Sequence, residues 1–127
     1  MFEISVEESF AAGHSLRGYQ GKCEQVHGHN YRVRVTFEGE QLDSRGLLVD
    51  FSEVKRLMRG LIERWDHRFL NDVPPFDVLN PTAENMAKCF YDELARGFPS
   101  GTGEVAVRVA EVKIWETDTA TATYRPS

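Results

Sequence analysis

From His29 to Glu38, apolar and polar residues alternate without a break. Tyr31, Val33, Val35 and Phe37 fall on one side, and Arg32, Arg34, Thr36 and Glu38 on the other. Alternate side chains of an extended chain point to opposite faces, so this segment predicts a strand with one buried face and one wet face. Phe2, Ile4 and Val6 repeat the pattern and predict a first strand over Phe2–Phe10, followed by a looser, glycine-containing stretch, Ala11–Glu24. After a connection over Glu40–Asp50 the period changes. Val54, Leu57, Met58, Leu61, Ile62 and Trp65 follow the spacing of an amphipathic helix, with Asp50 or Ser52 available as its cap. A second helix is expected from near Thr82, with a buried stripe of Met86, Ala87, Phe90, Tyr91 and Leu94, stopped by Gly97 and Pro99. Two closing strands follow, about Glu104–Trp115 and Thr119–Tyr124. In the first, Val105, Val107 and Val109 share one parity and Val112 and Ile114 the other, so a bulge is expected near Ala110–Glu111.

The order strand, strand, helix, helix, strand, strand keeps strands and helices apart. That predicts an α+β fold: a four-stranded antiparallel sheet with both helices on one face. A sheet of four strands leaves two open edges, which a further copy of the chain would cover, so an oligomer is expected. With 127 residues, the chain suits one domain over 1–127. The net charge of -5 argues against a protein that coats nucleic acid. No apolar run approaches the ~18 residues of a membrane span, and the acid-bearing start MFEISVEESF does not read as a signal peptide. A cytoplasmic protein with reduced Cys23 and Cys89 is the expectation.

The sequence holds four histidines, and three of them, His14, His27 and His29, lie close together. In His27-Gly28-His29 an extended backbone points both imidazoles to one side, and Gly28 lets the backbone pass close by. His14, at the end of the first strand, is the natural third ligand. Three neutral imidazoles with one open position suit a catalytic zinc ion, although iron, copper or nickel would accept the same donors. Cys23 is either a fourth ligand that closes the site or a thiolate base beside it, favoured by nearby cations such as Lys22. Cys89, next to the buried stripe of the second helix, reads as packing. Asp66-His67 is either a carboxylate–imidazole relay or charge suited to a helix C-terminus. Glu116 follows Trp115 and is either a turn acid or an acceptor for a guanidine-like edge.

Several segments resemble the 6-pyruvoyl-tetrahydropterin synthase family, most closely its bacterial branch of 6-carboxy-5,6,7,8-tetrahydropterin synthases in queuosine biosynthesis. They are FAAGHSL at Phe10–Leu16, CEQVHGHNY at Cys23–Tyr31, VDFSEVK at Val49–Lys55, WDHRFLND at Trp65–Asp72, NPTAEN at Asn80–Asn85 and VKIWET at Val112–Thr117. They occur in the family's order and span nearly the whole chain. The resemblance implies a T-fold and a zinc ion on His14, His27 and His29. It also implies a proton-transferring Cys23 with an Asp66–His67 relay, and a pterin ring anchored by Glu116, with Thr82 in the ring-binding segment. The implied assembly is a homohexamer, a dimer of trimers with active sites between subunits. The implied reaction converts 7,8-dihydroneopterin triphosphate to 6-carboxytetrahydropterin, acetaldehyde and triphosphate. Arg17, Lys22, Arg32 and Arg34 are candidates to hold the triphosphate. Glu24, directly after Cys23, resembles the acid of folate-type relatives that form 6-hydroxymethyl-dihydropterin, so a folate-type or dual-activity enzyme is the alternative. A 6-pyruvoyl-tetrahydropterin synthase is a third option. From other functional classes, the alternatives are a non-enzymatic metal-binding module closed by Cys23 and a pterin or purine binder of the same fold without turnover.

Overall fold

The computed structural model describes residues 1–18, 25–98 and 106–127. The elements are β1 (Phe2–His14), β2 (His27–Gly39), α1 (Phe51–Ile62), β3 (Arg68–Phe69), α2 (Ala83–Gly97), β4 (Arg108–Thr117) and β5 (Ala120–Tyr124). They form an α+β fold with one sheet in the order β3-β1-β2-β4-β5. The four long strands are antiparallel to their neighbours, as expected. The sheet nevertheless has five strands, because β3 adds a parallel pairing of Arg68 with Ala12 and Phe69 with Gly13. Two residues are too few to show any alternation, which is why the sequence pattern does not announce this strand.

The first strand runs on to His14 instead of loosening after Phe10. Ala11 and Gly13 are poor strand formers, but their register against Asn30 and Gly28 carries the ladder to its end. Along β1, Val6, Phe10, Ala12 and His14 are buried, and along β2 so are Tyr31, Val33, Val35 and Phe37. These are the residues that face the helices. Burial of such an apolar side chain contributes about 1.5–3 kcal/mol. In β4 the pairing passes from Thr36–Glu111 to Phe37–Val109 and skips Ala110. The extra residue is the bulge that the change of parity predicts, and it lets Val109 and Val112 both face the core.

Asp50 caps α1 by accepting the Ser52 N–H at 2.8 Å. The helix buries Val54, Met58 and Ile62 and ends before Trp65. Trp65 is still buried, in the turn beyond the helix, against Phe10, Phe76 and Phe90. Thr82 caps α2 by accepting the Asn85 N–H at 3.1 Å. The α2 stripe of Met86, Ala87, Phe90 and Leu94 is buried as expected. Cys89 is half-buried against the core, and burial, with Glu93 nearby, pushes its thiol up.

Candidate metal centre

The hairpin register places His14 directly opposite His27, and Ala12 opposite His29. His27 and His29 share the face of Tyr31, so all three imidazoles stand at one end of the sheet on its helix-covered side. One ring nitrogen from each lies within 4.8 Å of the others. His14 is completely buried. Its Nδ1–H donates to the carbonyl of Pro81 at 2.8 Å, and that of His27 to the carbonyl of Gln25 at 2.8 Å. Outer hydrogen bonds of this kind fix the tautomer and aim Nε2 as a ligand. The two Nε2 atoms then face each other at 3.1 Å. Lone pairs at that distance repel unless a proton or a metal cation lies between them. His29 Nε2 is buried without any hydrogen-bond partner, which costs free energy until a ligand satisfies it. Burial pushes the His29 imidazole below its ordinary value; Glu116 opposes this, and His14 and His27 add to it. The donor set therefore fits a divalent cation that prefers imidazole.

Glu116 ends β4 on the same face. Its Oε1 lies 3.2 Å from His14 Nε2 and 3.7 Å from His29 Nε2, and its side chain is 31% exposed. It also lines an open cleft of ≈ 360 Å³ with Ala83, Glu84 and the β5 residues Ala120–Thr123. A group entering this cleft meets the Glu116 carboxylate, which stands against His14 and His29. Tyr31 is a residue the sequence reading passes over. Its hydroxyl lies 3.1 Å from His14 Nδ1, and burial and Glu116 both raise its pKa. Its place two residues after His29, on the same face of a strand, was a signal available in the sequence. The Thr82 side chain is engaged in capping α2, one residue beyond the carbonyl that holds His14.

Asp66 and His67 stand apart from this cluster. Asp66 Oδ1 accepts the Ala11 N–H at 3.0 Å, and the His67 N–H donates to the Ala11 carbonyl at 2.6 Å. The His67 ring is 82% exposed, with Nε2 3.7 Å from Asp66 Oδ1. It faces another open cleft, of ≈ 410 Å³, lined also by Gly13, Gly28, His29 and Arg68. The close backbone passage expected at Gly28 is absent within the described chain, since an added Cβ would meet only the Ala12 carbonyl, at an ordinary 3.8 Å. Lys22, Cys23 and Glu24 lie outside the described residues. Among the other triphosphate candidates, Arg32 and Arg34 lie on the opposite sheet face, around Trp115 and beside Glu7 and Glu111. The Arg17 guanidinium is bound to backbone carbonyls of Phe76 and Leu79.

Comparison with known proteins agrees with this geometry. The family described as 6-pyruvoyl tetrahydropterin synthase matches residues 3–127. A protein of Aquifex aeolicus named 6-carboxy-5,6,7,8-tetrahydropterin synthase is 34% identical, over 98% of this chain and 98% of its own. One of the same name from Bacillus subtilis is 36% identical, over 98% of this chain and 86% of its own. The solved structure of Caenorhabditis elegans 6-pyruvoyl tetrahydropterin synthase superposes with a TM-score of 0.86. It is 28% identical and covers 99% of this chain and 96% of that one.

Proposed function

The chain belongs to the 6-pyruvoyl tetrahydropterin synthase family, and on that premise we propose that it is a 6-carboxy-5,6,7,8-tetrahydropterin synthase. It is a zinc-dependent carbon–carbon lyase of queuosine biosynthesis. It converts 7,8-dihydroneopterin triphosphate and one water to 6-carboxytetrahydropterin, acetaldehyde and triphosphate. The observation that carries the reading is the convergence of His14, His27 and His29 beside Glu116, a carboxylate that also lines a cleft.

His14, His27 and His29 would hold the zinc ion, which would supply Lewis acidity toward the side-chain oxygens of the substrate and so favour loss of the adjacent C–H proton. Glu116 accepts hydrogen bonds from the guanidine-like edge of the pterin ring, with Thr82 in the ring-binding segment that opens α2. Cys23 moves a proton as a thiolate, and His67, oriented by Asp66, exchanges protons with the side-chain oxygens. In a homohexamer built from two trimers, with active sites between subunits, the exposed His67 of one chain serves the substrate of its neighbour. The enzyme works in the cytoplasm. No helix among the described residues is long and apolar enough to cross a membrane.

A second reading follows from the adjacency of Cys23 and Glu24. If Glu24 is the base, the product is 6-hydroxymethyl-dihydropterin and the enzyme serves folate synthesis in whole or part. The zinc-loaded protein is incubated with 7,8-dihydroneopterin triphosphate and the products identified by mass spectrometry, with Cys23→Ala and Glu24→Ala alongside. Loss of 6-carboxytetrahydropterin and acetaldehyde in Cys23→Ala alone supports the first reading. A 6-hydroxymethyl product that depends on Glu24 supports the second. No turnover by the loaded protein overturns both.

A further inference from the structure

Beyond the metal ligands themselves, we infer that Asn80, with Arg17 and Asn71, forms a clamp that positions His14. The inference rests on the proposed metal reading and concerns the segment between β1 and the start of α2. Asn71 Oδ1 accepts the Ser15 N–H at 2.9 Å, and its Nδ2 donates to the Ser15 carbonyl at 2.8 Å. Asn80 repeats the grip two residues on: its Oδ1 accepts the Arg17 N–H at 2.8 Å and its Nδ2 donates to the Arg17 carbonyl at 2.9 Å. A carboxamide offers one acceptor and two donors, so it replaces the peptide of a partner strand. Two side chains thereby extend the ladder past His14, where β1 has no strand left to pair with.

The Arg17 side chain locks the same loop from the other side. Its guanidinium donates to the carbonyls of Phe76 at 2.8 Å, Leu79 at 3.2 Å and Asn71 at 3.4 Å. Arg17 is thus committed to the backbone and is a poor candidate for triphosphate. The hydrogen bonds close a ring. His14 leads along the chain to Arg17, which is held by Asn80; Asn80 is followed by Pro81, whose carbonyl takes the His14 Nδ1–H at 2.8 Å. Asn85 Nδ2, donating to the Asn80 carbonyl at 2.9 Å, ties the ring to α2. With the Arg17–Asn80 grip gone, the Pro81 carbonyl is held only from α2, through Asn85 and the Thr82 cap, and the aim of Nε2 relaxes.

The test uses the full chain, loaded with cobalt(II) for its visible spectrum and with zinc for competition against a chromophoric chelator. In Asn80→Ala and Arg17→Ala the cobalt band is expected to shift and the zinc affinity to fall by about tenfold, the cost of losing an outer partner of a metal ligand. Circular dichroism should remain that of the folded protein. Asn80→Asp keeps the acceptor and loses the donor, and should fall between wild type and Asn80→Ala. It also serves as the test variant should the alanine forms fail to fold. A wild-type cobalt spectrum and zinc affinity in folded clamp variants overturns the inference and leaves the clamp as loop architecture. His14→Ala tests the underlying reading separately. Retention of equimolar, tight metal by that variant sinks the three-histidine site, whatever the clamp variants do.

Discussion

His67 holds a left-handed backbone, φ 58, alone among the described non-glycine residues. A side chain there costs about 1–2 kcal/mol, and a ring this exposed recovers little of it by packing. Such strain persists where the surroundings enforce it, here through the His67 N–H on the Ala11 carbonyl and the Asp66 carboxylate on the Ala11 N–H, and it collects at functional positions. Glycine relieves the strain but adds roughly 0.5–1 kcal/mol of chain entropy to be lost on folding. His67→Gly should therefore be at least as stable as His67→Ala in urea unfolding, and both should lose turnover. A His67→Gly protein clearly less stable than His67→Ala would show that strain is not what the imidazole imposes. Glu116 is the complementary case, a carboxylate to which we assign recognition of the ring as a proposal. Exchange for Gln keeps the shape and removes the charge that strengthens its hydrogen bonds. Glu116→Gln should raise the dissociation constant for a pterin ligand roughly tenfold to a hundredfold, as read by calorimetry. Unchanged affinity would remove Glu116 from the ring site.

Among the elements, α2 couples stability to the site, because its cap stands one residue from the carbonyl that orients His14. Thr82→Ala should cost about 1 kcal/mol in denaturant unfolding, and Thr82→Ser should cost much less, since it keeps the capping oxygen. If Thr82→Ser weakens pterin binding while leaving stability intact, the methyl group touches the ring. Equal loss of stability in the two variants would refute the capping role. Long elements were legible because their periods are long. The α2 stripe, the Val33–Phe37 alternation and the parity break at Ala110 each rest on several residues that agree. The end of β1 was not legible, because Ala11 and Gly13 carry no pattern of their own and take their extended form from β2. Trp65 fits the helical spacing and yet lies past the end of α1, because the aromatic cluster beneath the sheet holds it equally well in a turn. The site followed the same logic. Histidines at i and i+2 on a strand are readable from spacing, and so is Tyr31 two residues on, whereas Asn71, Asn80 and Pro81 gain their roles only when residues more than fifty apart in sequence meet.

At the scale of the whole molecule, two clefts border the site. One, beside β5, is lined by Glu116 and Ala120–Thr123. The other, next to β1, is lined by His29 and by the exposed His67. Among the described residues, β1 is paired on its outer side only at Ala12 and Gly13, and β5 has no strand on its outer side. Exposed edges of this kind invite pairing with another chain. An edge of one subunit laid along an edge of the next would bring the relay of one chain toward the histidines of its neighbour, which is the arrangement the proposed mechanism requires. Two separately inactive variants then test it. His27→Ala lacks a metal ligand and His67→Ala lacks the relay, and each should lose turnover alone. Produced together in one cell, they should form mixed assemblies in which some interfaces unite an intact cluster with an intact relay, and activity should return at those sites. Activity absent from mixtures that are demonstrably mixed by native mass spectrometry would place cluster and relay in the same chain. The site would then have to close by a movement of the turn that carries His67, and the open sheet edges would lose their connection to catalysis.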